Sequence, residues 1–172
     1  MDMWKALGAC LVTLASAMCG WAARQGMHRT LRIRRELRLA LEWMRAEMEI
    51  GMPTVAELFE TVGKRLDGEV GRFLEGAAFE MAAVSGRSPR TALKIRMEQD
   101  PELFGPEERG LILEVGGCLG RYDPEGQARA LRLYQNRLEH LIRESEENLR
   151  RRAKASMTAS VCAGLAWIII LL

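Results

Sequence analysis

The residues able to do chemistry in this chain are few and badly spaced for it. His28 and His140 each stand alone, with no acid or nucleophile at a useful spacing. Gly63-Lys64-Arg65 lacks the upstream glycine and the Ser/Thr that a phosphate-cradling loop needs. The four cysteines are Cys10, Cys19, Cys118 and Cys162, and no two have metal-ligand or redox-motif spacing. They read best as small apolar residues. The carboxylate pairs Glu107/Glu108 and Glu146/Glu147 read as helix-surface or first-turn residues that suit the helix dipole. No residue is assigned to catalysis, to a cofactor or to a metal, so an enzyme is not expected. Contact with other molecules is the chemistry that remains.

Two apolar segments frame that expectation. Ala6 to Ala23 and Ala155 to Leu172 are each 18 residues long and free of charge. That length is just enough for a helix to cross the hydrocarbon layer of a membrane. The sequence therefore divides into a transmembrane helix at 6–23, a helical domain at 24–154 and a second transmembrane helix at 155–172. Neither segment contains Asp, Glu, His, Lys or Arg, so no proton or ion relay is visible. Residues 24–38 carry six basic side chains and one acidic, net +5, and residues 150–154 carry +4. Basic residues beside membrane spans stay on the cytoplasmic side and suit anionic lipid headgroups. The central domain is thus expected in the cytoplasm, with both termini across the membrane. Trp4 and Trp21, 17 residues apart, are about 25 Å apart along a helix and match two interfacial anchors. A cleaved signal peptide is the alternative for the first segment. Ala15-Ser16-Ala17 fits a cleavage site, but the basic residues come after the apolar stretch instead of before it. Leu7-Gly8-Ala9-Cys10 resembles a lipoprotein box but has no hydrophobic stretch before it. In the second segment Ser156, Ser160 and Gly164 have the small-xxx-small spacing that lets helices approach closely, although plain apolar filler explains them equally well.

The central domain must position any contact surface, and its pattern is helical throughout. No apolar–polar alternation is long enough for a strand. A first helix is predicted from about Arg29 to Ile50, with Leu37, Leu41, Met44 and Met48 on one face. Gly51-Met52-Pro53-Thr54 stops it. A second helix, capped by Thr54, runs to about Leu66, and a third covers Glu69 to Val84. Ser88 and Pro89 start a fourth, Ser as cap and Pro in the first turn, ending at Gln99. A fifth starts at Gly105-Pro106 and ends at Gly120, with Leu111, Ile112, Val115 and Leu119 inward. Asp123 caps the last helix, whose stripe is Leu131, Tyr134, Leu138, Leu141, Ser145 and Leu149. No breaker separates this helix from the second apolar segment. Six helices in about 130 residues can share one core. The first and last helices are expected to pack antiparallel. Residues 39–149 have net charge −7, which argues against nucleic acid as a partner.

Several blocks together resemble the stage III sporulation protein AB family of spore-forming bacteria. They are Leu37-Arg38, Leu41 and Met44-Arg45-Ala46-Glu47-Met48, followed by Gly51 and Pro53. They continue with Gly116, Leu119-Gly120, Asp123 and Gln127. The basic stem and the final apolar span complete the match, which runs from end to end. Ile50 stands where the family often has an aromatic residue, and Pro53-Thr54 reverses the family's order.

The resemblance implies an all-α fold similar to the cytoplasmic domain of the type II secretion F platform protein. It implies a place in the complex joining mother cell and forespore. The domain would sit on the mother-cell side of the outer forespore membrane, with both termini in the intermembrane space. The partners it implies are a traffic ATPase, stage III sporulation protein AA, and other channel membrane proteins; association with further copies stays open. Gly51, Gly120 and Asp123 have structural explanations as helix stops and N-cap, and Pro53, Gly116 and Leu119 belong to the same structural motif. Arg38, Glu47, Arg121 and Gln127 match or flank the pattern without an obvious packing need. They are candidates for partner contact, with hydrogen bonds inside the bundle as the competing account. A passive assembly scaffold and a component of a general secretion or pilus system are the other functions left open.

Overall fold

The structure is a computed structural model. It describes the backbone of residues 2–51, 53–84, 86–119 and 124–171, and the side chains of 26–51, 53–84, 86–119, 126–151 and 155. Every element among the described residues is a helix: α1 (Asp2–Gly51), α2 (Val55–Arg65), α3 (Glu69–Ala83), α4 (Pro89–Gln99), α5 (Pro106–Cys118) and α6 (Pro124–Leu171). The expected all-α architecture of six helices is what is found. One difference is the start of α1. It runs unbroken from Asp2, because nothing between Ala23 and Arg29 stops a helix. The chain forms two compact units, one of Arg32–Ile142 and one of Met1–Leu31 with Arg143–Leu172. The Arg32–Ile142 unit is the folded body that carries the core and the candidate contact residues.

The starts of the short helices are locally encoded. Thr54 caps α2 by accepting from the Glu57 N–H, while the Glu57 side chain accepts from the Thr54 N–H at 2.9 Å. This reciprocal box satisfies two donors that a helix start otherwise leaves open. The Thr54 bonds, the backbone one first, hold the Glu57 carboxyl below its ordinary pKa. A depressed carboxyl contributes stability above its unfolded pKa and loses it as pH falls through the folded value. Thr54→Ala removes the side-chain cap, which is expected to cost about 1 kcal/mol at neutral pH. The gap from wild type should narrow as pH drops below the ordinary carboxylate range, as denaturant melts at several pH values would reveal. Ser88 caps α4 by accepting from the Thr91 N–H, with Pro89 in the first turn.

The third helix is capped from outside itself. Its N-cap residue, Gly68, has no side chain to offer. The Val70 N–H donates instead to Glu36 of α1 at 3.3 Å. A Cβ on Gly68 would overlap that carboxylate, so glycine is what lets Glu36 reach the helix start. Arg32 of α1 adds an ion pair to Glu69 in the first turn of α3 at 3.1 Å.

Consecutive helices pack closely, α2 on α3, α3 on α4 and α4 on α5. The core draws on all six: Leu37, Leu41 and Met44 of α1, Leu58, Phe59 and Val62 of α2, and Val70, Phe73 and Leu74 of α3 lie in it. Leu93 of α4, Leu111, Ile112 and Val115 of α5, and Leu131, Leu138 and Ile142 of α6 complete it. The last helix buries a narrower stripe than its pattern predicts. Ile142 takes the inward place, while Tyr134, Leu141, Ser145 and Leu149 are half-buried. The α4–α5 connection also enters the core. Phe104 meets Phe73 edge to face, with ring centroids 4.8 Å apart. Arg109 holds that connection by donating to the carbonyls of Phe104 and Pro101. The fifth helix ends at Cys118, short of the expected Gly120, because Leu119 is extended and turns its buried side chain inward.

Candidate interaction surface

The charged residues sort into those used inside the body and those left for contact. Arg34, on α1, is the centre of the first group. Its Nε donates to Glu108 at 2.5 Å, Nη2 to Glu107 at 2.9 Å and Nη1 to the Leu141 carbonyl at 2.8 Å. One guanidinium thus joins α1, α5 and α6, using the planar fork that distinguishes arginine from lysine. Glu108 is 2% exposed, and no other charged residue among the described ones is buried. Both residues of the Glu107/Glu108 pair lie in the first turn of α5, as the sequence suggests, but only Glu107 is at the surface. Glu108 is interior, because Arg34 supplies the countercharge. Gly105 makes the room: a Cβ there would come within 2.6 Å of Glu108 Oε2. Arg34, counted with the basic stem by sequence, is folded into the body.

The three candidate contact residues that are described each have a partner within the chain. Arg38 pairs with Glu139 of α6 at 3.4 Å, and Glu47 pairs with Arg65 of α2 at 2.7 Å. Gln127 is half-buried on α6 and engaged within the chain. Arg121 lies outside the described residues, as do Gly120 and Asp123. Because Arg34 and Arg38 meet α6 at Leu141 and Glu139, in reverse order, α1 and α6 run antiparallel here, bridged by arginine side chains.

Of the described structural motif residues, Gly116 and Leu119 are packed into the body, whereas Gly51 is exposed with open space around it. Gly51 is the last residue of α1, and Pro53 is half-buried just before the Thr54 cap. Gly116 lets α4 and α5 close up: a Cβ there would meet Leu93 Cδ1 at 2.6 Å and the Arg90 Cα at 3.1 Å. His28 and His140 are exposed. Cys118 is half-buried, with its Sγ 3.2 Å from the Tyr134 hydroxyl. Among the described residues no cluster of His, Cys, Asp or Glu is placed to hold a metal ion.

What sequence reasoning missed is apolar. Ile50 is 82% exposed and Leu39 37% exposed on α1, Phe79 72% on α3 and Leu133 65% on α6. On α1 the signal was present. Leu39, Trp43, Ala46 and Ile50 repeat the i, i+4, i+7, i+11 spacing of the core stripe, displaced by two residues and therefore on the opposite face.

Among the described residues no helix is long and apolar enough to cross a membrane. The side chains of both apolar end segments, including Ser156, Ser160 and Gly164, lie outside those described, although the backbone is helical through Ala6–Ala23 and from Ala155 to Leu171.

This helical body has counterparts among known proteins. The family model for stage III sporulation protein AB matches residues 5–172. A solved structure of a stage III sporulation protein AB superposes with a TM-score of 0.63 at 20% identity, covering 71% of this chain and 97% of that one. No curated protein matches.

Proposed function

The chain belongs to the stage III sporulation protein AB family, and from that premise we propose that it is a non-catalytic membrane platform subunit of the complex linking mother cell and forespore. The two apolar ends span the outer forespore membrane. The body faces the mother-cell cytoplasm and docks a traffic ATPase of the stage III sporulation protein AA type. The observation that carries this reading is continuity of helix. Both α1 and α6 run without a break from the folded body through an apolar end segment. An unbroken helix passes anchorage or displacement along its axis more directly than a flexible linker does. The basic residues beside each apolar segment support the orientation.

The test is binding of the purified ATPase to the full chain in lipid nanodiscs, repeated over a range of salt. Saturable binding that weakens with salt is the expected result, since the charged body would make the contact. No binding, with the chain shown helical and folded, would overturn the docking and leave a passive scaffold acting through its apolar segments. Small-residue spacing at Ser156, Ser160 and Gly164 is the feature that favours that second reading.

A further inference from the structure

We propose that the outer face of α1 is a docking site for an amphipathic helix with basic edges, contributed by another protein. Within the body α1 has two apolar stripes on opposite faces. Leu37, Leu41 and Met44 on the inner face are at most 5% exposed. On the outer face Ile50 is 82% exposed and Leu39 37% exposed, Ala46 is exposed and Trp43 is half-buried. A stripe with this spacing is the pattern read by helix-in-groove recognition. A half-buried tryptophan beside an alanine gives such a face a ridge and a hollow.

Charge decides the occupant. Glu42 and Glu49 line one edge of the outer stripe and are exposed. The other edge carries Glu36 and Glu47. Glu36 and Glu47 already have partners in the body, Arg32 with the α3 start and Arg65 respectively. Of the arginines on the first edge, Arg38 is turned to Glu139, and Arg45 lies further round the helix with its Nε 4.0 Å from Glu49. Arg35 precedes the stripe by one turn. A second copy packed parallel would set the Glu42/Glu49 row against Glu36 and Glu47. Packed antiparallel, it would set the same row against itself. Both orientations oppose acid to acid, which costs affinity and specificity. Lysines or arginines flanking a leucine stripe on another protein are complementary. This holds whether or not the partner is the ATPase, so the two tests can fail separately.

The experiment uses the full chain in phosphatidylcholine nanodiscs, with Trp4, Trp21 and Trp167 changed to Phe so that Trp43 is the sole tryptophan. Two synthetic helices without aromatic residues share one leucine stripe. One has lysine edges and the other glutamate edges. The lysine-edged helix is expected to shift Trp43 emission saturably, and the glutamate-edged one to bind about tenfold more weakly. Glu42→Lys with Glu49→Lys should reverse the preference, which separates the site from peptide adsorption to lipid. Ile50→Asp, at an exposed position, should abolish binding without unfolding the helix. The proposal is overturned if neither helix moves Trp43 emission, if both bind equally, or if the preference survives the charge reversal. Light scattering that finds dimers broken by Ile50→Asp would overturn it too, by giving the face to a second copy.

Discussion

Arg34→Ala is expected to destabilise the body by about 3–5 kcal/mol. Most ion pairs here do not predict such a loss. Arg38 and Glu139 are 44% and 40% exposed, and removing such a pair costs at most about 1 kcal/mol, because water already solvates both charges. Arg34 differs in burial and in what it leaves behind. Its side chain is 12% exposed and that of Glu108 3%. Without the guanidinium, Glu108 is a charge in the interior with no countercharge, and the Leu141 carbonyl loses a donor. The penalty is that of stranding buried groups, not the worth of one bond. Two controls distinguish these. Arg38→Ala should lose about 1 kcal/mol or less. Arg34→Met combined with Glu108→Leu should recover most of the loss, because a buried pair replaced by apolar groups of similar volume is often neutral or better. Denaturant unfolding of the full chain followed by helical circular dichroism measures all three. If Arg34→Ala melts no earlier than Arg38→Ala, the three-helix clasp is not what holds α5 and α6 to α1.

Arg34 also marks where legibility in the sequence ends. Helix starts were readable because they depend on neighbours. Thr54 with Glu57, Ser88 with Pro89, and Gly105 with Pro106 each signal a start within four residues, and α2, α4 and α5 begin there. The inward faces of α1 and α5 were readable from periodicity. Partners distant in sequence were not. Arg34 meets Glu108 across 74 positions, and nothing local distinguishes it from the basic residues on either side. Glu36 looks like one more surface carboxylate until Gly68, which cannot cap its own helix, is brought beside it. The same reason holds for Arg38 and Glu47. Without a packing need visible in sequence they pointed to a partner, and folding supplies Glu139 and Arg65. Phe104 was hidden because a Pro–Glu–Leu–Phe–Gly connection reads as loop, and its burial is fixed by Phe73 and Arg109. The second stripe on α1 was legible but masked, since a helix apolar on two faces has weak amphipathicity and draws attention only to the stripe that caps and stops frame.

The second large effect is expected at Gly71, where alanine should cost about 2 kcal/mol even though it favours helix. In most helix interiors Gly→Ala gains up to about 1 kcal/mol from backbone entropy. At Gly71 that gain meets a backbone obstacle. A Cβ would overlap the Leu66 carbonyl oxygen and come within 2.8 Å of the Gly63 carbonyl oxygen. Both carbonyls belong to the end of α2, and Leu66 is anchored there by its N–H bond to Gly63 at 3.1 Å. A flexible side chain could swing away, but a backbone carbonyl in an anchored turn cannot, so α2 and α3 must part. Parting them loosens Leu58, Val62, Val70 and Leu74, all buried between or beside these helices. Overpacking of this kind costs about 1–3 kcal/mol, and a rigid obstacle keeps Gly71 out of the lower part of that range. Gly110 is the matched control. It lies inside α5, is exposed, and a Cβ added to it would have nothing within 4 Å. Gly110→Ala should therefore stabilise by about 0.5–1 kcal/mol. The two substitutions are chemically identical and opposite in sign, so composition or propensity alone predicts the wrong result for one of them. Equal shifts in melting temperature would show that the α2–α3 hairpin yields freely. A loss at Gly71 with a gain at Gly110 would show that the close approach of those two backbones is part of what holds the body together.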